Sequence, residues 1–151
     1  MSNISMKTIV FDIDGTLSNA SHRQHFVRSK PRNWKAFAAG IPNDPPHEDI
    51  IWLLKLIISD MNNNVFIVSA RSEDERADTE LWLRKHKIPY DTLFMRASKD
   101  YRDDSIIKAE ILAKLIAMGR TPYMVFDDRN KVVNMWRDNG IRCLQVAPGD
   151  F

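Results

Sequence analysis

Apolar residues occur along this chain in short continuous runs that alternate with longer amphipathic segments. Short runs bounded by polar residues are typical of buried parallel strands, whereas apolar positions spaced three and four apart are typical of helices. Three runs predict strands, and two weaker runs add a fourth and a fifth. In that order they are Thr8–Phe11, Val65–Val68, Tyr123–Phe126, Arg142–Val146 and Thr92–Met95.

Amphipathic segments lie between these runs, at Asp49–Met61, Glu73–Lys87, Asp104–Met118 and Asn130–Asn139. Asp104 is a candidate N-cap for the third helix, and Gly119 is its candidate C-cap. Gly140 ends the fourth helix in the same manner. The alternation of strand and helix predicts an α/β fold with a doubly wound parallel sheet.

The segment at residues 18–46 breaks this alternation, because its apolar residues have only weak periodicity. It contains several basic and aromatic residues, namely Arg23, Arg28, Lys30, Arg32, Lys35, Phe26, Trp34 and Phe37. Since the segment directly follows the first strand, it is predicted to form a small cap over the end of that strand. Cations interleaved with aromatics suit an anionic ligand that carries bases. A solvated basic face whose aromatics pack onto the core is the alternative.

Composition favours a single globular domain spanning residues 1–151. The chain is 44% hydrophobic and 28% charged, and no apolar stretch is long enough to span a membrane. Residues 1–5 lack the features of a signal peptide, and the single cysteine, Cys143, is expected to be a buried core residue. Both features predict a cytoplasmic protein. The net charge of +2 is too small to indicate a nucleic-acid partner by itself.

Two aspartates follow the first predicted strand. Asp12 and Asp14 lie two residues apart, a spacing that places both carboxylates on one side of an extended chain, and Gly15 allows a tight turn after them. Open α/β sheets have their active sites at the carboxyl ends of the strands. The pair is therefore a candidate catalytic site, although a capping aspartate followed by a turn is the simpler alternative.

Polar residues also follow the second and third strands. Ser69 and Arg71 could bind phosphate there, or Ser69 could instead form a local turn. The adjacent carboxylates Asp127 and Asp128 repel each other unless a cation holds them, and oxygen ligands favour Mg²⁺ over zinc. Lys108 lies near the start of a predicted helix, where a solvated surface lysine is the alternative interpretation.

Four motifs thus follow one another along the chain: Asp12 with Asp14, Ser69 with Arg71, Lys108, and Asp127 with Asp128. In residue type and in order they resemble the four motifs of the haloacid dehalogenase (HAD) superfamily. The resemblance implies that Asp12 is the nucleophile, that Asp14 is the general acid and base, and that Ser69 and Lys108 are catalytic groups that bind phosphate. It places Mg²⁺ among Asp12, Asp14, Asp127 and Asp128. The residues implied to bind phosphate or substrate are Thr16, Ala70, Arg71, Asp104 and Arg129.

Sequence stretches in the second half of the chain narrow the resemblance to the phosphatase domain of T4-type polynucleotide kinase/phosphatases. These stretches are Arg102–Asp104, Asp127–Arg129, Val132–Arg137 and Val146–Phe151. That family implies removal of 3′-phosphates from DNA or RNA ends through an aspartyl-phosphate. It also implies the host cytoplasm if the chain is phage-encoded, and it allows a homo-oligomer.

No phosphate-binding loop of the Gly-x-x-x-x-Gly-Lys-Ser/Thr type occurs, so any 5′-kinase activity would need another chain. The resemblance allows a separate kinase or ligase as a partner. A nucleotidase that acts on free mononucleotides and a non-catalytic binding subunit are the alternative functions.

A count of the formal charges at this site indicates that it needs a cation. Asp12, Asp127 and Asp128 bring −3 and a phosphate dianion brings −2, whereas Lys108 and Arg71 return only +2. A divalent cation is therefore expected, and Asp14 is expected to be protonated so that it adds no further negative charge.

Overall fold

A parallel sheet of five strands forms the centre of the protein. The computed structural model describes residues 5–151, so the first four residues of the amino-terminal segment considered above lie outside the described residues. The strands are β1 (Lys7–Phe11), β2 (Asn63–Ser72), β3 (Thr92–Arg96), β4 (Pro122–Asp127) and β5 (Cys143–Gln145). Their order across the sheet is β3-β2-β1-β4-β5, and all pairings are parallel. The predicted doubly wound α/β sheet is confirmed.

Helices connect the strands and cover both faces of the sheet. They are α1 (His25–Arg28), α2 (Trp34–Ala39), α3 (Glu48–Ser59), α4 (Arg76–Lys85), α5 (Asp104–Ala117) and α6 (Asn130–Asp138). Three short 3₁₀ turns lie at Ser21–Arg23, Ile41–Asn43 and Glu73–Glu75. The segment predicted to form a cap is therefore mostly helical, with α1 and α2 inserted between β1 and α3. None of the helices in residues 5–151 is long and apolar enough to cross a membrane.

The side chains of β1 alternate between two cores, because successive residues of a strand point to opposite faces. Ile9 and Phe11 pack in the core that α3 and α4 cover. Val10 packs in the opposite core, beneath α5 and α6. Burial on both faces explains why β1 is a continuous apolar run, and it fixes the place where the chain leaves the sheet at Asp12.

The sheet order reverses at β1. The chain builds β2 and β3 on one side of β1 and then crosses to build β4 and β5 on the other side. Open α/β sheets bind ligands at such a switch point, at the carboxyl ends of the strands. The backbone N–H of Asp12 donates to the carbonyl of Phe126, which joins the ends of β1 and β4 directly.

Two boundaries near the site differ from the sequence prediction. β2 extends to Ser72 because its backbone pairs with β3 at Ser72 and Arg96 after an irregularity in register, so Ser69 and Arg71 lie within the strand. Helix α5 begins one residue earlier than expected from an Asp104 cap. Asp103 is the N-cap, since its backbone is extended and its carboxylate accepts from the N–H of Ser105.

Candidate active site

A buried ion-pair cluster lies at the carboxyl end of β1. The Lys108 ammonium, only 2% exposed, donates to Asp12 Oδ1 at 2.7 Å and to Asp127 Oδ2 at 2.8 Å. Thr16 Oγ1 donates to the other oxygen of Asp12 at 3.1 Å. The alternative of a solvated Lys108 is wrong, because α5 directs this side chain into the site. All of these residues were predicted from the sequence, and the structure brings them together.

Three carboxylates in this cluster lie close enough to share one cation. Asp12, Asp127 and Asp128 each offer an oxygen, and these oxygens all lie within 4.8 Å of one another. Burial, followed by repulsion from Asp127, raises the pKa of Asp12 well above its usual value and that of Asp128 to about 6. With Lys108, the cluster carries a formal charge of −2 in buried surroundings. One divalent cation would balance this charge, so the donor set fits a metal with oxygen ligands.

Asp14 belongs to a second cluster, which contains two arginines and another aspartate. Arg71 donates to both oxygens of Asp14, at 2.7 and 3.0 Å, and Arg23 donates to one of them at 2.8 Å. Both arginines also donate to the buried Asp44, and Arg71 further donates to Thr79. Two cations and two carboxylates make this cluster formally neutral.

The state of Asp14 therefore differs from the sequence expectation. Burial opposes its ionisation, but the charges and hydrogen bonds of Arg71, with a contribution from Arg23, lower its pKa to about 2. Asp14 is an ion-paired carboxylate in this structure, not a protonated acid. The count of formal charges from the sequence also treated Arg71 as free to balance the phosphate, whereas in the structure Arg71 forms ion pairs with Asp14 and Asp44.

Arg23 and Asp44 are site residues that the sequence reasoning missed. Arg23 was counted among the basic residues of the cap, yet it is 1% exposed and contacts Asp14. The Asp44 carboxylate also accepts from His22 Nε2, and its backbone carbonyl accepts from the Trp82 indole. One signal was present in the sequence, because Asp44 is the only acidic residue between Asp14 and Glu48.

Ser69 and Ala70 directly precede Arg71 in β2, and within residues 5–151 neither forms a side-chain hydrogen bond to a carboxylate of the two clusters. Ser69 Oγ accepts from the backbone N–H of Arg71 at 3.1 Å, which is the turn-type contact considered as the alternative for this residue. The carbonyl of Ala70 accepts from Arg96 Nε. Both residues shape the backbone that carries Arg71, and Ser69 is buried there.

Asp104 and Arg129 form a third group of charged residues, at the edge of the candidate site, which we call its rim. Asp104 accepts from Arg96 and from Arg129, while Arg129 Nε donates to the carbonyl of Phe151. Asp104 therefore joins the start of α5 to the last residue of the chain. Within residues 5–151 no hydrogen bond links Asp104 to Lys108, and the bonds from Arg96 and Arg129 hold Asp104 on the rim of the candidate site.

Gly15 lies against the acidic cluster in a backbone conformation that favours glycine. Its φ is +86°, and a Cβ at this position would overlap Asp128 Oδ2. Any side chain would therefore displace the Asp128 carboxylate or the turn itself.

We expect Gly15→Ala to weaken divalent-metal binding by tenfold or more, in addition to a strain cost of about 1 kcal/mol. Gly140→Ala is the matched control, because Gly140 also has a positive φ (+77°) but has no atom within 4 Å of the added Cβ. The measurement is the metal concentration that gives the half-maximal rise in melting temperature. Equal metal responses in the two variants would contradict this account of Gly15.

Comparison with known proteins places this geometry in a family. The family model for the polynucleotide kinase PNKP phosphatase domain matches residues 6–151. A protein of Autographa californica nuclear polyhedrosis virus, named as a bifunctional polynucleotide kinase/RNA ligase, is 27% identical over 133 residues. That match covers 87% of this chain and 18% of the viral protein.

Solved structures extend the comparison. A chain in the structure of the Pnkp1/Rnl/Hen1 RNA repair complex is 33% identical and superposes with a TM-score of 0.81. The match covers 100% of this chain and 45% of that one, so this chain spans less than half the length of the relatives it matches first. A haloacid dehalogenase-like protein from Streptococcus pneumoniae, 20% identical with a TM-score of 0.66, shares the fold over 93% of this chain and 84% of its own.

Proposed function

Because this chain belongs to the polynucleotide kinase PNKP phosphatase family, we propose that it removes 3′-phosphate groups from DNA or RNA ends. The family makes it a HAD-type phosphomonoester hydrolase. The observation that carries the proposal is Asp12, a buried carboxylate at the switch point of the sheet, held by Lys108 beside two further aspartates. We propose that residues 1–151 act as one phosphatase domain, with residues 18–46 as its cap.

Asp12 is the nucleophile in this proposal. Its carboxylate attacks the phosphorus in line, the bond to the 3′-oxygen breaks, and an aspartyl-phosphate forms on Asp12. Lys108 and Thr16 fix the carboxylate by bonding its two oxygens separately, so its orientation is set before substrate arrives. Lys108 also places a positive charge where the negative charge of the transferring phosphoryl group develops.

Asp14 is the acid and base of the proposed reaction. As a carboxylate it is ready to take a proton from the water that hydrolyses the aspartyl-phosphate. To protonate the leaving 3′-oxygen in the first half of the reaction, it must first give up part of its bonding to Arg71 or Arg23. A substrate phosphate dianion would compete with Asp14 for Arg71, and that competition would raise the Asp14 pKa toward its ordinary value.

We assign Mg²⁺ to the acidic cluster, where the carboxylates of Asp12, Asp127 and Asp128 would hold it. The backbone carbonyl of Asp14 would be a further ligand. A bound Mg²⁺ would supply electrostatic stabilisation of the phosphoryl oxygens. Lys108 and the Trp136 indole, which both donate to Asp127 Oδ2, fix one carboxylate of this cluster without metal.

Mg²⁺ is expected to raise the melting temperature of the wild-type protein, because it balances a buried charge of −2. Saturation at about one hundred times the dissociation constant would add about 2.7 kcal/mol of stability. Asp128→Asn should show a much smaller rise, whereas the exposed Asp138→Asn should respond like wild type. The measurement is thermal unfolding in Mg²⁺ against NaCl of equal ionic strength. An unchanged Mg²⁺ response in Asp128→Asn would remove Asp128 from the site.

A nucleotidase acting on free mononucleotides is the second candidate, because the same chemistry serves both substrates. Polynucleotide ends are favoured by the family and by the relatives, whose names and assemblies include a kinase, a ligase and RNA repair. We propose on the same basis that a ligase joins the 3′-hydroxyl product and that a kinase phosphorylates the 5′ end, each as a separate partner.

The test is phosphate release in Mg²⁺ from four substrates. They are a 3′-phosphorylated oligonucleotide, the same oligonucleotide phosphorylated at its 5′ end, and the 3′- and 5′-mononucleotides. The proposal predicts the highest kcat/KM for the 3′-phosphorylated oligonucleotide. Preference for a mononucleotide would move the assignment to nucleotide metabolism, and no release from any of the four would contradict a phosphatase of nucleic acids.

A further inference from the structure

The segment that follows β1 carries exposed cations that have no carboxylate partner among the residues the structure describes. Residues 15–43 contain no aspartate or glutamate. Four exposed cations in this segment form no ion pair with any carboxylate of residues 5–151. They are Arg28, Lys30, Arg32 and Lys35. We call these four residues and Trp34 the cap patch.

The arginines elsewhere on the rim are already paired. Arg102 donates to Asp100 and Glu110 through both ends of its guanidinium. Arg96 and Arg129 share the carboxylate of Asp104. The cap patch therefore offers four exposed cations without a carboxylate partner among residues 5–151, whereas these three arginines are already paired.

Aromatic contacts connect the cap patch to the candidate active site. The Trp34 side chain is 57% exposed, and its ring meets that of Phe37 edge to face at 5.8 Å between centroids. The Arg23 guanidinium also lies against Phe37, 4.2 Å from the ring centroid. Arg23 in turn donates to Asp14. Three successive contacts thus lead from an exposed indole to the second cluster of the site.

We propose that the cap patch binds the single-stranded segment next to the 3′ end of the substrate. The four cations contact its phosphodiesters, and the Trp34 indole stacks on a base. This inference rests on the proposed function and adds the site that would distinguish a polynucleotide from a mononucleotide. Cationic grooves with exposed aromatic rings bind single strands without reading sequence, because every phosphate carries charge and every base has a face for stacking.

The binding test uses the full chain and a fluorescently labelled single-stranded oligothymidylate, followed by anisotropy. One variant replaces the four patch cations by serine (Arg28→Ser, Lys30→Ser, Arg32→Ser, Lys35→Ser). Its matched control replaces four other exposed cations that form no ion pair within residues 5–151 (Lys55→Ser, Lys85→Ser, Lys114→Ser, Arg120→Ser), so both proteins lose the same charge. A third variant, Trp34→Ala, removes the stacking ring alone.

The patch variant should bind about tenfold or more weakly at low salt, while the control quadruple variant should stay within about threefold of wild type. The slope of log affinity against log salt should fall in magnitude by up to about 0.7 for each phosphate that the variant no longer neutralises. Trp34→Ala should weaken binding by roughly 5- to 100-fold, the range expected when one base stack is removed. Equal weakening in patch and control variants, or unchanged binding in both patch variants, would overturn the proposal.

Catalysis separates this inference from the proposed function. With a 3′-phosphorylated oligothymidylate as substrate, the patch variants should raise KM by about the same factors by which they weaken binding. With thymidine 3′-monophosphate, their KM should change by less than about threefold. A matching loss on both substrates would mean that the segment serves the fold or the reacting centre, and would overturn the inference. A wild-type protein that binds the oligonucleotide but releases no phosphate would contradict the proposed function while leaving the patch to be judged by the binding results.

Discussion

Asp12→Asn is expected to release phosphate at less than about one-thousandth of the wild-type rate while keeping the wild-type fold. The amide has nearly the same volume as the carboxylate but cannot form an aspartyl-phosphate, and a loss of this size corresponds to about 4 kcal/mol of transition-state stabilisation. The substitution also removes one negative charge from a buried cluster of −2, so the folded state should not lose stability. The measurements are phosphate release from a 3′-phosphorylated oligonucleotide and thermal unfolding.

Asp78→Asn is the control for this prediction, because Asp78 is exposed on α4 and forms no ion pair with the residues that the structure describes. It should keep the wild-type rate and the wild-type melting temperature. An Asp12→Asn protein that turned over at a similar rate to Asp78→Asn would require another nucleophile.

Lys108→Met is expected to have the largest effect on stability. Lys108 is the only cation that bonds Asp12 and Asp127 within residues 5–151, so its loss leaves three buried carboxylates with a charge of −3. Breaking a buried ion pair from one side costs about 3–5 kcal/mol. Without metal, the free energy of unfolding measured in urea should fall by this amount, and phosphate release should be abolished.

A double variant separates the two consequences of losing Lys108. Lys108→Met combined with Asp127→Asn removes one unpaired charge together with the cation, so it should recover part of the lost stability and none of the activity. Lys114→Met, on the exposed face of the same helix, should resemble wild type. Wild-type stability in Lys108→Met without metal would contradict the account of Lys108 as the counter-ion of the cluster.

The sequence predicted the parts of the site that local pattern determines. Asp12 and Asp127 each end an apolar run, and a run buried on both faces fixes where its strand leaves the sheet. Lys108 follows from the order of the motifs, although only the packing of α5 buries it. The positions of these residues relative to one another are set by the sheet order β3-β2-β1-β4-β5. The alternation of strands and helices predicts a parallel, doubly wound sheet but not that order.

The partners of Asp14 could not be predicted in the same way. Arg23 comes from a segment without clear periodicity, and Asp44 comes from a stretch rich in proline. Their ion pairs with Asp14 and Arg71 depend on how the cap folds back onto the end of β1, a long-range arrangement that no local pattern encodes. The same arrangement lowers the pKa of Asp14, so its ionisation could not be read from formal charges counted along the chain.

The central claim is that a 3′-phosphoryl group passes to Asp12. The most direct test mixes the protein with an oligonucleotide carrying a radioactive 3′-phosphate, stops the reaction in acid and maps the label on peptides. Asp14→Asn is included because Asp14 acts in both half-reactions: its loss should slow formation of the intermediate and also its hydrolysis, so that label, once formed, persists longer than in wild type. We expect label on the peptide that contains Asp12, in both wild type and Asp14→Asn, and none in Asp12→Asn. Label on a different residue, or phosphate release by Asp12→Asn at the wild-type rate, would contradict it.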